Sequence, residues 1–338
     1  MRNTFLALVL SVSLLSGCNN TDSSLLKVSS PIVTETKATR ISAFVKAEKS
    51  RGQVKNSVQK GVSTSGDIRY HTLKTKLLKS GDREIVVYLP PSYKANSAQK
   101  YPVFYMHDGQ NLFDKGTGAF GKEWYVDEKA EYLIKKNIIN EIIIVGVYNG
   151  YGERLNELTW TSNTEHGGGD GKKYCDFLTK EVKPFIDKTY RTKSDRANTA
   201  VGGSSLGGLI SIYLSTNYSK VFGNAAIMSP SIWWNEGDSL KETDKLKDKT
   251  DFWIDAGTEE DKDDPGMVGY ANMLYKKLLA KEGKNVMMFV DKGAGHNEEA
   301  WATRIHSPLI YFFGKEQNQT KKEELIKRLM SLEEWSKL

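Results

Sequence analysis

The sequence predicts a doubly wound α/β fold, a mostly parallel sheet with helices on both faces. Short, nearly continuous apolar runs recur between residues 84 and 290, and amphipathic stretches of helical length separate them. A glycine-rich turn joins one such run directly to one such stretch. Strands that are apolar on both faces are buried on both faces, which requires helices above and below the sheet. In chain order the strand candidates are Glu84–Leu89, Val103–Met106, Glu141–Val147, Thr199–Val201, Asn224–Met228, Phe252–Ala256 and Val286–Val290. The helical candidates are Trp124–Lys136, Gly171–Lys188, Leu206–Asn217, Met267–Glu282 and Glu298–Phe312. In such sheets functional groups gather at the carboxyl ends of the strands, so chemistry is expected immediately after them.

The first residues read differently. Arg2 precedes an apolar run from Phe5 to Leu15, too short to span a bilayer and suited to a secretory signal. Leu15-Ser16-Gly17-Cys18 resembles a bacterial lipobox, which implies cleavage before Cys18 and lipid on its sulfur. That predicts an exported, membrane-anchored lipoprotein at the outer membrane, periplasm or cell surface. Residues 1–18 are then the signal, and 19–66, rich in Ser, Thr, Lys and Val, are expected to be a disordered basic tether. The tether holds eight Lys or Arg against Asp22, Glu35 and Glu48, so nearly all of the formal charge of +6 lies in it and residues 67–338 are neutral. A neutral domain without a basic stripe argues against nucleic acid as a partner. Cys175, the other cysteine, is left without a disulfide partner and reads as a small buried hydrophobe. The catalytic domain is expected over 67–318. Residues 319–338 are expected to form an amphipathic helix, with Leu325, Ile326, Leu329, Met330 and Trp335 near one stripe, packed on the body.

The chemistry is predicted at Gly202-Gly203-Ser204-Ser205-Leu206-Gly207-Gly208, a G-x-S-x-G sequence centred on Ser205 between a strand and a helix. A nucleophile on so sharp a turn needs small residues two places to either side, and the helix behind it favours developing negative charge. Ser204 stands one place off that pattern. A serine hydroxyl needs a base. Of His71, His107, His166, His296 and His306, the last two follow the serine, as acid and base do in this arrangement. His296 lies in a loop directly after the last predicted strand and is the candidate base, whereas His306 falls inside the next helix. The third member is expected after Phe252–Ala256. Glu260 is chosen there, with Glu259 and Asp261 as alternatives. The oxyanion donors are assigned to the N–H groups of Leu206 and Gln110, with His107 and Asp108 locking the loop that carries Gln110. Trp160, Trp233, Trp234 and Arg154 are candidate substrate contacts. Packing of the aromatics and an Arg154–Glu157 ion pair ordering their loop are the structural alternatives. The acids from Glu259 to Asp264 lack calcium-loop spacing, so no metal and no cofactor are expected.

These residues resemble the putative esterase (esterase D-like) family, which includes enterochelin, feruloyl and acetyl xylan esterases and mycolyltransferases. The similar stretches are Tyr101–Asp114, Asn149–Arg154 with Glu157, Gly202–Gly208, Gly257–Glu260, and Gly295-His296 with Trp301, spread over residues 70–314. The resemblance implies an α/β-hydrolase fold and a Ser–His–acid esterase working through an acyl-enzyme without a metal. Its substrate would be a small-molecule or carbohydrate-linked ester of feruloyl, acetyl or siderophore type. An acyltransferase with the same triad, or a non-catalytic carbohydrate-binding surface lipoprotein, are the rival expectations.

Overall fold

The computed structural model describes residues 37–53, 60–261 and 266–330. Cys18, the rest of the lipobox and Trp335 lie outside the described residues. The strands of the main sheet are β1 (Asp67–Leu73), β2 (Arg83–Leu89), β3 (Val103–His107), β4 (Ile143–Val147), β5 (Thr199–Ser204), β6 (Asn224–Met228), β7 (Asp251–Gly257) and β8 (Val286–Asp291). They form one sheet in the order β1-β2-β4-β3-β5-β6-β7-β8. β2 runs antiparallel to β1 and β4, and the other neighbours are parallel. The helices are α1 (Lys37–Gln53), α2 (Val126–Lys135), α3 (Arg154–Glu157), α4 (Gly171–Phe177), α5 (Lys183–Thr189), α6 (Leu206–Asn217), α7 (Asp238–Glu242), α8 (Gly266–Glu282), α9 (Glu298–Arg304), α10 (His306–Phe313) and α11 (Gln319–Met330).

Alternate residues of each strand feed opposite faces, as the two-residue period of a strand dictates. Val87, Val145, Val201, Ile227 and Ile254 join Leu209 and Ile212 of α6 and Leu274 of α8. Val86, Ile144, Ala200, Ala226 and Trp253 join Leu133 of α2, Leu309 and Ile310 of α10, and Ile326 and Leu329 of α11. The last helix therefore packs on the body. The run expected over 171–188 is α4 and α5 joined through a π-helical turn, Leu178–Val182. The run expected over 298–312 divides at Ile305. Pro308 has no N–H to offer the carbonyl four residues back, that of Arg304.

Two elements depart from the sequence reading. β1 was not expected, because Asp67, Arg69, His71 and Thr72 interrupt its apolar residues. It is a half-buried edge strand, where that composition is tolerated. More consequentially, Lys37–Gln53 lies within the stretch expected to be a disordered tether, yet it is a helix on the body of the molecule. Ile41, Phe44, Val45 and Glu48 recur at helical spacing and so share one face. Val45 is buried, and Ile41 and Phe44 pack against the α6 side of the core. The chain beyond also docks: Gly61 and Val62 donate backbone hydrogen bonds to Asp114, and Ser65 N–H donates to Asp127. Among the described residues no helix is long and apolar enough to cross a membrane.

Candidate active site

β5 ends at Ser204, and the next residue, Ser205, turns the chain sharply with φ 60° and ψ −120° before α6 begins. A positive φ at a non-glycine residue is strained and persists because its surroundings enforce it. Ser205 N–H donates to Met228 O (3.0 Å), and Ser205 O accepts from Leu209 N–H (2.9 Å) and Ser231 N–H (3.1 Å). The turn lies against His107. A Cβ at Gly203 or Gly207 would stand 3.2 or 3.3 Å from His107 Cβ, which is why both positions flanking the serine carry glycine.

The turn aims Ser205 Oγ at His296 Nε2, 2.7 Å away, and His296 Nδ1 lies 3.1 Å from Glu260 Oε2. A carboxylate only accepts, so Nδ1 carries the hydrogen, and Nε2 is the nitrogen that faces the serine oxygen. Of the three acids left open by the sequence, Glu260 is the one brought to the ring. Its other oxygen, Oε1, accepts from Gly257 N–H (2.8 Å), Ser229 Oγ (2.5 Å) and Arg304 Nη2 (2.8 Å). Burial pushes this carboxyl up, but the bond and charge of His296, with Arg304 and Ser229, outweigh it and hold Glu260 below its ordinary range. Trp301 stands edge-on to the imidazole at 4.9 Å and donates Nε1–H to Ser229 Oγ (2.9 Å), fixing the ring's far side.

Leu206 opens α6, so its N–H has no acceptor within the helix. Gln110 lies in the tight turn Gly109–Asn111 just after β3, and that turn is rigidly held. A Cβ at Gly109 would stand 2.4 Å from the carbonyl carbon of Gly146 in β4. Asp108, in a left-handed conformation, receives Arg154 on both carboxylate oxygens (2.8 and 2.7 Å) and Asn149 Nδ2 (2.7 Å). His107 Nδ1 meets Tyr174 Oη at 2.7 Å, and burial lowers its pKa to about 4, so it is neutral. Both residues hold the loop, the role expected for them. His306 is buried with Nδ1 on Thr303 O (2.9 Å), away from the serine.

The candidate substrate contacts divide. Trp160 stacks on Tyr213 of α6 at 5.1 Å, and buried Trp234 donates Nε1–H to Thr161 O (3.1 Å). Trp233 stacks on Phe44 of α1 at 5.4 Å. The expected Arg154–Glu157 pair is not formed. Glu157 accepts from both terminal nitrogens of Arg83 in β2 (2.9 and 2.6 Å), while Arg154 turns to Asp108. Each finds a two-pronged partner from another element, a better match than a neighbour one turn away.

Sequence reasoning missed Glu48 and Arg51. Glu48 Oε1 accepts from Ser205 Oγ at 2.7 Å, and its Oε2 accepts from Arg154 Nη1. Arg51 donates to His296 O at 2.8 Å. The signal was present: Glu48 continues the stripe of Ile41, Phe44 and Val45. Ser231 Oγ, 3.1 Å from Ser205 Oγ, was also unforeseen. As for metals, Glu123, Asp127 and Glu128 are, among the described residues, one group whose ligand atoms lie within 4.8 Å of one another. Glu123 and Asp127 accept from Ser63 and Ser65, so the group anchors the stretch before β1, and it is separate from the Ser205–His296–Glu260 chain of bonds.

Residues 78–312 match the family described as "Putative esterase". Ferri-bacillibactin esterase BesA of Bacillus subtilis (strain 168) is 30% identical over 228 residues, covering 58% of this chain and 73% of BesA. The crystal structure of BES protein from Bacillus cereus superposes with a TM-score of 0.61 at 22% identity, covering 76% of this chain and 99% of that one. The CE1 ferulic acid esterase AmCE1/Fae1A of the anaerobic fungi Anaeromyces mucronatus superposes with a TM-score of 0.55 at 22% identity, covering 75% and 91%. The two structures share the fold. α1 precedes the matched residues. With its α/β sheet and a family match over more than half its length, this chain is an esterase and belongs to the Putative esterase family.

Proposed function

We propose that the chain is a serine carboxylic ester hydrolase working through an acyl-enzyme. The observation that carries this reading is the line from Ser205 Oγ through His296 to Glu260, at 2.7 and 3.1 Å. Ser205 attacks the ester carbonyl while Nε2 takes its proton and returns it to the leaving alcohol. Glu260 holds the imidazolium, and the N–H groups of Leu206 and Gln110 receive the oxyanion. Water then repeats the sequence on the acyl-enzyme. The substrate class is a carbohydrate-linked, feruloyl, acetyl or siderophore-type ester. The likeness to BesA supports a siderophore-type ester as the first to try. Ser205→Ala should lower kcat on p-nitrophenyl acetate by on the order of 10⁴-fold or more and abolish fluorophosphonate labelling. Unchanged turnover in that variant would refute the assignment. A panel of siderophore trilactones, feruloyl esters and acetylated xylan then ranks the substrates by kcat/KM.

The reading extends to attachment at a membrane through lipid on Cys18, as an exported lipoprotein. Its support is the sequence Leu15-Ser16-Gly17-Cys18 after an apolar run. Labelled palmitate should enter the wild-type chain and not Cys18→Ser, and the variant should leave the membrane fraction. Retention of the variant in that fraction rules the anchor out.

A further inference from the structure

Ser205 has no exposed surface (0%), and Glu48, which covers it, is 2% exposed. A nucleophile in that state meets no ester until the cover moves. The cover is one face of α1. Phe44 stacks on Trp233 at 5.4 Å and Val45 is buried. One turn further, Glu48 Oε1 accepts from Ser205 Oγ at 2.7 Å while Oε2 meets Arg154. In the last turn Arg51 pairs with Glu48 (2.5 Å), donates to His296 O (2.8 Å) and lies 5.2 Å from the centre of the Trp301 ring.

The group that Glu48 presents is the group this chemistry produces. In deacylation a water oxygen bonds to the acyl carbon and the bond from that carbon to Ser205 Oγ breaks. One water proton returns to Ser205 through His296, and the acid that leaves ionises. The product carboxylate starts with one oxygen against Ser205 and His296, as Glu48 Oε1 stands at 2.7 Å from Oγ and 3.8 Å from Nε2. Its second oxygen needs a donor, as Glu48 Oε2 finds in Arg154. Resting on the serine-esterase reading, we propose that α1 is a tethered pseudo-product: Glu48 fills the carboxylate-binding part of the acyl site opposite Arg154, and substrate enters by displacing the helix.

The contact also disarms the base. Ser205 has one hydroxyl hydrogen, and with that hydrogen on Glu48 the imidazole must donate to Oγ rather than accept. The charged groups facing His296 are Glu260 from the loop after β7, and Glu48 and Arg51 from α1. Burial and Arg51 oppose protonation, the two carboxylates outweigh them, and the ring's proton affinity is raised. A protonated His296 takes no proton from Ser205. α1 nonetheless remains displaceable, because Ile41, Phe44 and Val45 carry its apolar contact. Its connection to the docked stretch at 60–66 keeps its local concentration high.

The test uses the full chain as wild type, Glu48→Ala, and Phe44→Asp, which unseats the helix while keeping the carboxylate. Both variants should raise kcat/KM on p-nitrophenyl acetate and the rate of fluorophosphonate labelling by about ten-fold, the closed fraction being lost. Added acetate should inhibit Glu48→Ala at concentrations that leave the wild type untouched. Rates equal to or below wild type in both variants, with unchanged thermal unfolding, overturn the proposal. A different pattern, no labelling or ester cleavage in any of the three chains, instead removes the esterase reading and this inference with it.

Discussion

Glu260 divides its two oxygens between different tasks. Oε2 faces His296, while Oε1 is held by Gly257 N–H, Ser229 and Arg304. The carboxylate is thus fixed in place by groups that take no part in proton transfer, and it stays ionised because they stabilise its charge. Glu260→Gln keeps the shape and removes the charge that supports the imidazolium, so kcat should fall by about 10³- to 10⁴-fold. Glu259→Gln, one residue away, should leave kcat as it is, since its carboxylate is not the one at His296. Steady-state kinetics of the two variants on one ester decides between them, and the reverse ranking would reassign the acid. At this scale the sequence pointed to Ser205 and His296, which the fold brings within 2.7 Å of each other, by their place after strands. It narrowed the acid to a three-residue turn, whose aim depends on the contact of Gly257 with Ala294, a long-range packing no local pattern encodes.

At the scale of elements, legibility follows burial. β2 to β7 were visible because strands covered on both faces must be apolar throughout, and β8, the opposite edge, because Val286–Val290 is apolar even where it is half exposed. β1 was not, because an edge strand with one half-open face tolerates Asp67, Arg69 and His71. α1 was hidden by composition: its Lys, Arg, Ser and Thr residues make the stretch look solvated, and the four informative positions are a minority of it. Periodicity, tested apart from mean hydropathy, places Ile41, Phe44, Val45 and Glu48 on one face. What periodicity lacks is the partner. Nothing local says that the polar end of that stripe meets Ser205 and Arg154, more than a hundred residues away in the chain.

For the whole molecule, folding and protonation are linked through histidines buried without charge. Burial, with Lys129 nearby, lowers the pKa of His306 to about 3. Its unfolded value is near 6.5, so below that pH the unfolded chain binds a proton that the folded chain refuses. Stability from this site is therefore whole above pH 6.5 and declines as the pH falls toward 3. His107, lowered to about 4, acts in the same direction. Glu123, raised by burial to about 7, acts in the opposite one, because the folded chain keeps its proton where the unfolded chain has lost it. A wild-type pH profile mixes these contributions, and the difference between two chains isolates one. His306→Gln gives up the Thr303 contact at every pH, a constant offset, but it also removes the titration. Between pH 7 and pH 5 the variant should gain about 2 kcal/mol on the wild type, being 1.5 pH units below 6.5 at about 1.4 kcal/mol each. Urea unfolding of both chains at the two pH values measures that gain, and parallel shifts would show that His306 takes up its proton in the folded state after all.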